Sequence, residues 1–486
     1  LLSLVSMLSA VVAATPIDLA GQWRFALDPT NQGIASNWFD QSLKDRITLP
    51  GILQSQGYGD EISTKTPWVL SLYDRNWFER EDYKAYTKPG NVKVPFLSQP
   101  PRHYIGPAWY QRDIEIPAEW RGKRIVLYLE RPRWESTVWI DSTKVGSARS
   151  LVAPHEFDLG QLEPGKHRLT VRVDTTMIMP YRPDAHSVSD SLGMSWNGIV
   201  GKMELRATSK VWIEDVQVHA VYQDPTKFND ANFSRITIRV KIKNSTGKLG
   251  TGYLDLNGRR QFVVWSPDGS EIDLYTSLSK SQGWDEFEPN LHELTLTLNG
   301  DGADDRRVVK YGARTIQTIG KEFQLNGRRI YLRGTHHGGD FPLTGYPPTD
   351  VAYWRKIFQI NKDWGINHIR FHSFCPPEAA FQAADELGIY LQPEPGMWNE
   401  VSPGTPMEKM LYEETDAMIK AYGNHPSFLL FSPGNEPKGR WKEAFDKWIA
   451  HYRLADPRRI YTNGTGHTEP SVPGLAEGTD YLAMQR

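Results

Sequence analysis

The sequence predicts a multidomain protein: an N-terminal β jelly-roll sandwich, an immunoglobulin-like β-sandwich, and then an incomplete (β/α)8 TIM barrel. Three observations predict it. Up to about residue 207, short runs alternate apolar and polar side chains between Gly, Pro and Asp turns, the period of half-buried strands. A second alternating segment follows, with the length of an immunoglobulin-like sandwich, about 100 residues. From about Gly320 the rhythm changes to strand then helix. Strands that alternate with helices form parallel sheets with crossover helices.

Residues 1–14 are an apolar run that closes on small residues near Ala13 and Thr15, the pattern of a signal-peptide remnant. The run is short of the roughly 20 apolar residues that a membrane span needs. It has no initiating Met and no charged lead-in, so the sequence is expected to start inside its reading frame. The single cysteine, Cys375, allows no intrachain disulfide. Export without disulfides suits a bacterial protein that is periplasmic or extracellular.

The jelly roll is assigned to residues 15–208. Its alternating runs are Gly21–Leu27 and residues 108–116, 124–129, 137–140 and 167–173. Residues 60–101 carry many charges and prolines with weak periodicity. They read as a long loop insertion, a feature that in compact domains is often functional. The second sandwich is assigned to residues 209–312, with clear strands at 213–218, 235–242 and 293–298. The barrel is assigned to residues 313–486. Strands are expected at 330–332, 366–371, 389–394, 428–431, 460–463 and 481–485. Helices are expected at 350–360, 377–387, 408–422 and 441–454. That makes six strands of the eight in a closed barrel, whose usual length is about 250 residues.

The charge balance, 56 basic against 58 acidic residues, argues against a nucleic-acid partner, which would favour a basic face. No later segment is apolar enough to span a membrane. The chain carries 17 Trp, 21 Tyr and 18 Phe. Most are expected in cores, and such rings also stack on the apolar faces of sugars. Assembly into a homo-oligomer is left open.

The most informative stretch is Phe428 to Glu436. Four apolar residues read as a buried strand, Ser432, Pro433 and Gly434 end it, and Asn435 and Glu436 stand at the exit. Barrel enzymes keep catalytic groups at the C-terminal ends of their strands. An Asn beside a Glu offers an amide to a sugar hydroxyl and a carboxylic acid to a glycosidic oxygen. The alternative on the local sequence is that Glu436 caps the next helix. Other strand ends add His336, His337, Arg370, His372, Glu394 and Trp398. Arg370 could equally serve as a structural ion-pair partner of Glu394. The three histidines lack ligand spacing of the HExxH kind, so no metal is expected, and nothing calls for a cofactor. Cys375, between Phe374 and Pro376, lacks an activating neighbour and is expected to be inert packing.

Several segments then match a known family. Residues 431–436, Phe-Ser-Pro-Gly-Asn-Glu, resemble the Trp-Ser-Leu-Gly-Asn-Glu segment of glycoside hydrolase family 2. Asn424, His425, Pro426 and Ser427 match its Asn-His-Pro-Ser lead-in. Residues 108–112, Ala-Trp-Tyr-Gln-Arg, resemble its Ala-Trp-Tyr-Arg-Arg strand, and residues 326–329 its turn before barrel strand one. The family holds β-galactosidases, β-glucuronidases and β-mannosidases. The resemblance implies retaining hydrolysis of terminal β-linked sugars, with galactose or a uronic acid leading. It makes Glu436 the general acid/base, Asn435 the holder of the sugar 2-hydroxyl, and Arg370 a support for the carboxylates.

The sequence also departs from the family. After strand one the usual His is shifted or absent in His336-His337-Gly-Gly-Asp340, and after strand two the His moves by one position to His372. Substrate identity therefore stays open. The family's nucleophile is a Glu at the end of strand seven, which a six-strand count places beyond residue 486. Glu443, Glu469 and Glu477 are the remaining acidic candidates, and Gln485 falls loosely where a strand-six polar residue lies. The chain is expected to be a C-terminally truncated piece, inactive alone. A non-catalytic carbohydrate-binding protein on the same fold and an endo-acting glycanase remain as alternatives.

Overall fold

Two antiparallel sheets face each other in the first domain. The computed structural model describes residues 15–190, 192–193, 196–221, 233–279, 282–467 and 479–484. Residues 1–14, Glu469, Glu477 and Gln485 lie outside them. One sheet runs Ile17–Asp18, Gly198–Thr208, Arg124–Arg133, His155–Gly160, with Gly51–Ile52 also paired to Gly198–Thr208. The other runs Thr143–Arg149, Glu135–Ile140, Gly165–Asp174, Pro107–Ile116, Gly21–Leu27, Asp45–Leu49. In His155–Gly160, buried and exposed residues alternate strictly, as one core-facing and one solvent-facing side require. The core between the sheets includes Phe25, Tyr110, Leu127, Leu129, Val171 and Leu205.

The insertion at 60–101 holds short 3-10 turns and one small hairpin, Thr87–Lys88 with Asn91–Val92. It closes on its own cluster of Trp68, Trp77 and Val94. The two indoles meet edge to face at 5.2 Å, a favourable aromatic geometry.

The second domain joins two groups of strands. Arg259–Trp265, Gly250–Leu256, His292–Gly300 and Ala303–Tyr311 form one. Val211–Val221, Phe233–Asn244 and Ser270–Ser279 form the other. A single parallel pair, Val211 with Ala303, links them. Their shared core contains Ile236, Ile238, Leu254, Leu296 and Leu298.

The third domain opens with an antiparallel sheet of Ile316–Ile319, Glu322–Leu325 and Arg328–Ile330. Asn326 and Gly327 make its tight turn, both at positive φ, 54° and 73°, as a two-residue hairpin turn demands. The sequence reading placed the first barrel strand at 330–332. The structure corrects this: Ile330 ends the hairpin, and the first parallel strand is Gly334–His337. Parallel pairing then passes to His368–Phe371 and Tyr390–Gln392. A bridge from Leu391 to Phe428 leads to Leu430–Phe431 and Ile460–Tyr461. A further pair, Thr465–His467 with Ala483–Met484, follows. The helices are α1 (Val351–Asp363), α2 (Glu378–Leu387), α3 (Pro406–Tyr422) and α4 (Trp441–Ala455). Asp350 caps α1, accepting from the Tyr353 N–H at 2.8 Å. Glu436 is not the N-cap of α4, which begins after Arg440.

Polar residues lock the domains together. Arg131, only 3% exposed, leaves the sandwich and donates to the carbonyls of Cys375 and Pro376 at 2.9 and 3.1 Å. It also binds the carbonyls of Leu151 and Val152. The Asn-His-Pro-Ser lead-in has a physical role here. Asn424 accepts from Val218 N–H at 2.9 Å and donates to Val216 C=O at 2.6 Å, tying the barrel to the second domain. His425 and Ser427 bind Asp385 of α2 at 2.6 and 3.0 Å.

His155 is one source of acid sensitivity in the fold. His155 is 2% exposed beside Ser136 and Ser150, and burial pushes its pKa down to about 4. Unfolded, a histidine takes up its proton near pH 6.5. The contribution of His155 to stability therefore falls as pH drops from about 6.5 toward 4. Linkage puts the loss at about 2 kcal/mol by pH 5. His155→Gln should shrink the difference between urea midpoints at pH 7 and pH 5; an unchanged difference would exclude this source.

Candidate active site

Arg370 organises the C-terminal mouth of the parallel strands. Its Nε donates to Glu394 Oε1 at 2.8 Å. Its Nη2 donates to Asn435 Oδ1 at 2.7 Å and Thr465 Oγ1 at 2.6 Å. One guanidinium thus joins the ends of four successive chain segments, as its planar fork of donors allows. Glu394 is fully buried. It also accepts from Ser373 N–H at 2.8 Å and Thr465 Oγ1 at 2.9 Å. Arg370 is thus an ion-pair partner of Glu394 that also reaches Asn435.

That anchor decides what Asn435 can offer. Its amide oxygen accepts from Arg370, which orients the side chain and leaves the N–H2 group as its donor toward a ligand. Glu436 follows in the left-handed region at φ 41°, a costly conformation for a non-glycine residue, on the order of 1–2 kcal/mol. The surroundings hold it there. Its N–H donates to Thr465 C=O at 2.8 Å, and Trp398 Nε1 donates to its Oε2 at 3.1 Å. Gly466 lies so close that a Cβ there would sit 2.9 Å from Glu436 Cγ. Gly434 is equally confined, with Met397 2.9 Å from a notional Cβ.

The first domain supplies part of this site, which sequence reasoning missed. The segment after strand Gly165–Asp174 reaches the barrel mouth. Arg182 N–H donates to Asn399 Oδ1 at 2.8 Å, and its guanidinium lies 4.7 Å from the Trp398 ring. Asp184 binds that guanidinium in bidentate fashion. The His186 ring lies 4.3 Å from His372 and 5.3 Å, edge to face, from Trp398. Ser187 Oγ donates to Ser373 C=O. No local signal marks these residues, which stand on an irregular loop of another domain.

The predicted histidines separate. His336 Nε2 and His372 Nδ1 are 2.8 Å apart, within the group that contains Arg370. His337 is a correction. Neighbouring strand residues point to opposite faces, and its ring packs among Phe341, Trp354 and Phe371 at 5.4–5.7 Å. It belongs to the layer between strands and helices, away from the mouth. Burial lowers the pKa of His336, His186 and His372, the last to about 3 with help from His186 and Arg370. In each the lowered pKa favours the neutral imidazole. His337→Ala should cost about 1–3 kcal/mol through the cavity it opens, and His336→Ala, at an exposed ring, about 0.5 kcal/mol or less. Urea unfolding of the two variants checks the contrast.

Among the described residues, no group of three His, Cys, Asp or Glu is arranged to hold a metal ion. Cys375 is buried, its thiol pushed up to about 12 by burial, which suits packing and no nucleophilic role. Glu443 sits on α4 and pairs with Arg440 and Lys447. The mouth therefore combines a half-buried carboxyl group, an oriented amide, an indole, a guanidinium and neutral imidazoles, a set that can bind hydroxyl groups and move one proton.

Comparison with known proteins agrees with this layout. The sugar binding domain of glycosyl hydrolases family 2 matches residues 17–208, and the family's TIM barrel domain matches residues 316–476. A beta-glucuronidase of Paenibacillus borealis is 25% identical, over 92% of this chain and 72% of its own length. The beta-galactosidase large subunit of Latilactobacillus sakei is 24% identical, over 87% of this chain and 67% of its own. In fold, the chain is similar to a β-glucuronidase from Ruminococcus gnavus. The TM-score is 0.74 at 19% identity, covering 98% of this chain and 76% of that one. The two family matches fall on the first and third domains, at either end of the contacts that build the mouth, and on that basis the chain belongs to glycosyl hydrolases family 2.

Proposed function

We propose that the protein is a retaining exo-β-glycosidase that removes terminal β-linked sugars, with galactose or a uronic acid as the leading substrates. The observation that carries this reading is Glu436 at the exit of the fourth parallel strand, next to an Asn435 whose amide is oriented by Arg370. Its relatives' activities on β-glucuronides and β-galactosides support the sugar class.

In this reading Glu436 is the general acid. It gives its proton to the glycosidic oxygen as the bond to the anomeric carbon breaks. A second carboxylate, about 5–5.5 Å away in retaining enzymes, forms a covalent glycosyl intermediate. Glu436, now ionised, takes a proton from water, whose oxygen attacks the anomeric carbon and frees the carboxylate. Asn435 donates to the sugar 2-hydroxyl. Arg370, His336, His372, Glu394 and Trp398 shape the pocket, and His337 drops out of it. None of the described carboxylates is assigned as the nucleophile: Glu394 is engaged by Arg370, Ser373 and Thr465, and Glu443 lies on a helix. The opening apolar stretch supports export to the periplasm or beyond. The test is turnover of p-nitrophenyl β-D-galactoside and β-D-glucuronide by the complete gene product, with proton NMR of the first-formed anomer. A β-anomer is expected; an α-anomer would exclude retention.

A further inference from the structure

A second cavity lies on the other side of the loop that reaches the barrel mouth. Its volume is about 210 Å³, and Trp68, Trp134, Met177, Val188, Asp190 and Trp196 are among its walls. The insertion at 60–101 forms one side, so this segment has a structural purpose beyond filling its own core. Asp190 Oδ1 accepts from Val69 N–H at 3.1 Å and its carbonyl accepts from Leu97 N–H at 2.9 Å. These bonds fix the insertion against the loop. Arg133 enters the same cavity, with its guanidinium 5.4 and 5.5 Å from the rings of Trp134 and Trp196. It also donates to Ser187 C=O at 2.9 Å.

The loop thus has two faces. His186 and Ser187 touch the barrel, while Val188 and Asp190 line the cavity. His186 and Val188 are two residues apart, a span of at most about 7 Å. The cavity is large enough for a six-membered ring, since about 150 Å³ accepts benzene. Its lining is mostly aromatic and aliphatic, with Arg133, Thr175 and Asp190 as polar groups. An apolar enclosure with a few placed polar groups is the ordinary form of a ligand site. Met177 and Ile105, 41% and 50% exposed, stand where a ligand would enter. A pyranose has this complementary form: an apolar ring face and a hydroxyl-bearing edge.

We propose that this cavity is an accessory subsite for one pyranose ring of a carbohydrate ligand, distinct from the barrel mouth and linked to it by residues 186–190. For the class of ligand, the proposal rests on the carbohydrate reading of the barrel. The ring could be a distal unit of the substrate or part of a separate glycan.

Titration calorimetry separates these sources. The probes are methyl β-D-galactoside, methyl β-D-glucuronide and the β-linked tetrasaccharide of each sugar, with phenol as a ring that lacks the hydroxyl edge. Met177→Arg blocks the entry, Val188→Trp fills the interior, and melting temperatures verify that both fold. If the ring is a distal unit, a tetrasaccharide should bind at least tenfold more tightly than its monosaccharide. Both variants should then erase that gain and leave monosaccharide binding unchanged. If it is a separate glycan, both variants should abolish a binding event that Asn435→Ala leaves intact. Either result supports the subsite. Sugar binding lost on Asn435→Ala but unaffected by both cavity variants would overturn it and leave the barrel reading standing. Phenol binding as tightly as the sugars would overturn the ligand class. Cavity binding of sugars in a gene product that hydrolyses none would overturn the catalytic reading alone.

Discussion

Glu436→Gln is expected to lower turnover of the complete gene product by about 10²–10⁴-fold, the usual contribution of a general acid/base, while sugar binding survives. Glutamine keeps the shape of the side chain and still presents an oxygen to Trp398 Nε1, now 3.1 Å from Glu436 Oε2. It cannot give up or take a proton at that oxygen. The defect should depend on the leaving group. A substrate with an acidic phenol as its aglycone needs little protonation, so its first step should be nearly spared while hydrolysis of the intermediate stays slow. An alkyl glycoside should lose both steps. Pre-steady-state kinetics on the two substrates will show this as a burst with the phenol and none with the alkyl glycoside. Uniform loss across substrates would remove Glu436 from the acid/base role. Binding without hydrolysis even in the parent protein would favour a lectin-like function on the same fold.

The second large effect concerns stability. Arg370→Ala should destabilise the barrel by about 3–5 kcal/mol, because it leaves the charge of a buried partner uncompensated. Glu394 is fully enclosed, and its bonds from Ser373 N–H and Thr465 Oγ1 do not supply a counter-charge. Asn435 would also lose the donor that fixes its amide. Arg370→Lys should fall between, since an ammonium keeps the charge but cannot spread its donors as a planar fork does. Urea unfolding of the three proteins reads the effect. A loss under about 1 kcal/mol in the alanine variant would show that the ion pair contributes little.

The parts of the site that lie on apolar strands were legible in the sequence. Phe428 to Phe431 announce a buried strand by composition, so the position of Asn435 and Glu436 followed directly. Arg370 and Glu394 were placed at adjacent strand ends for the same reason. Gly334–His337 was not legible, because a short strand of Gly, Thr and two His has no hydrophobic pattern and is defined only by its parallel neighbour. The apolar Ile330 drew the assignment to itself, although the Asn326-Gly327 turn pairs it with Phe323 in a hairpin. The misassigned strand also hid which of two adjacent histidines faces the mouth. Arg182 and His186 were illegible for a different reason. Their importance lies in a contact between domains, and single-sequence patterns carry only local information.

The site is also assembled from parts made far apart in time. His186 leaves the ribosome about 250 residues before Glu436, which at synthesis rates of roughly 5–20 residues per second is some 12–50 seconds. The first domain can complete its core in that interval, with its loop already shaped by Arg133 and Asp190. The barrel then emerges beside a finished template and docks its strand ends onto it. A slow codon cluster or a stall near the start of the barrel should therefore be tolerated, whereas a destabilised first domain should trap the barrel without its partner surface.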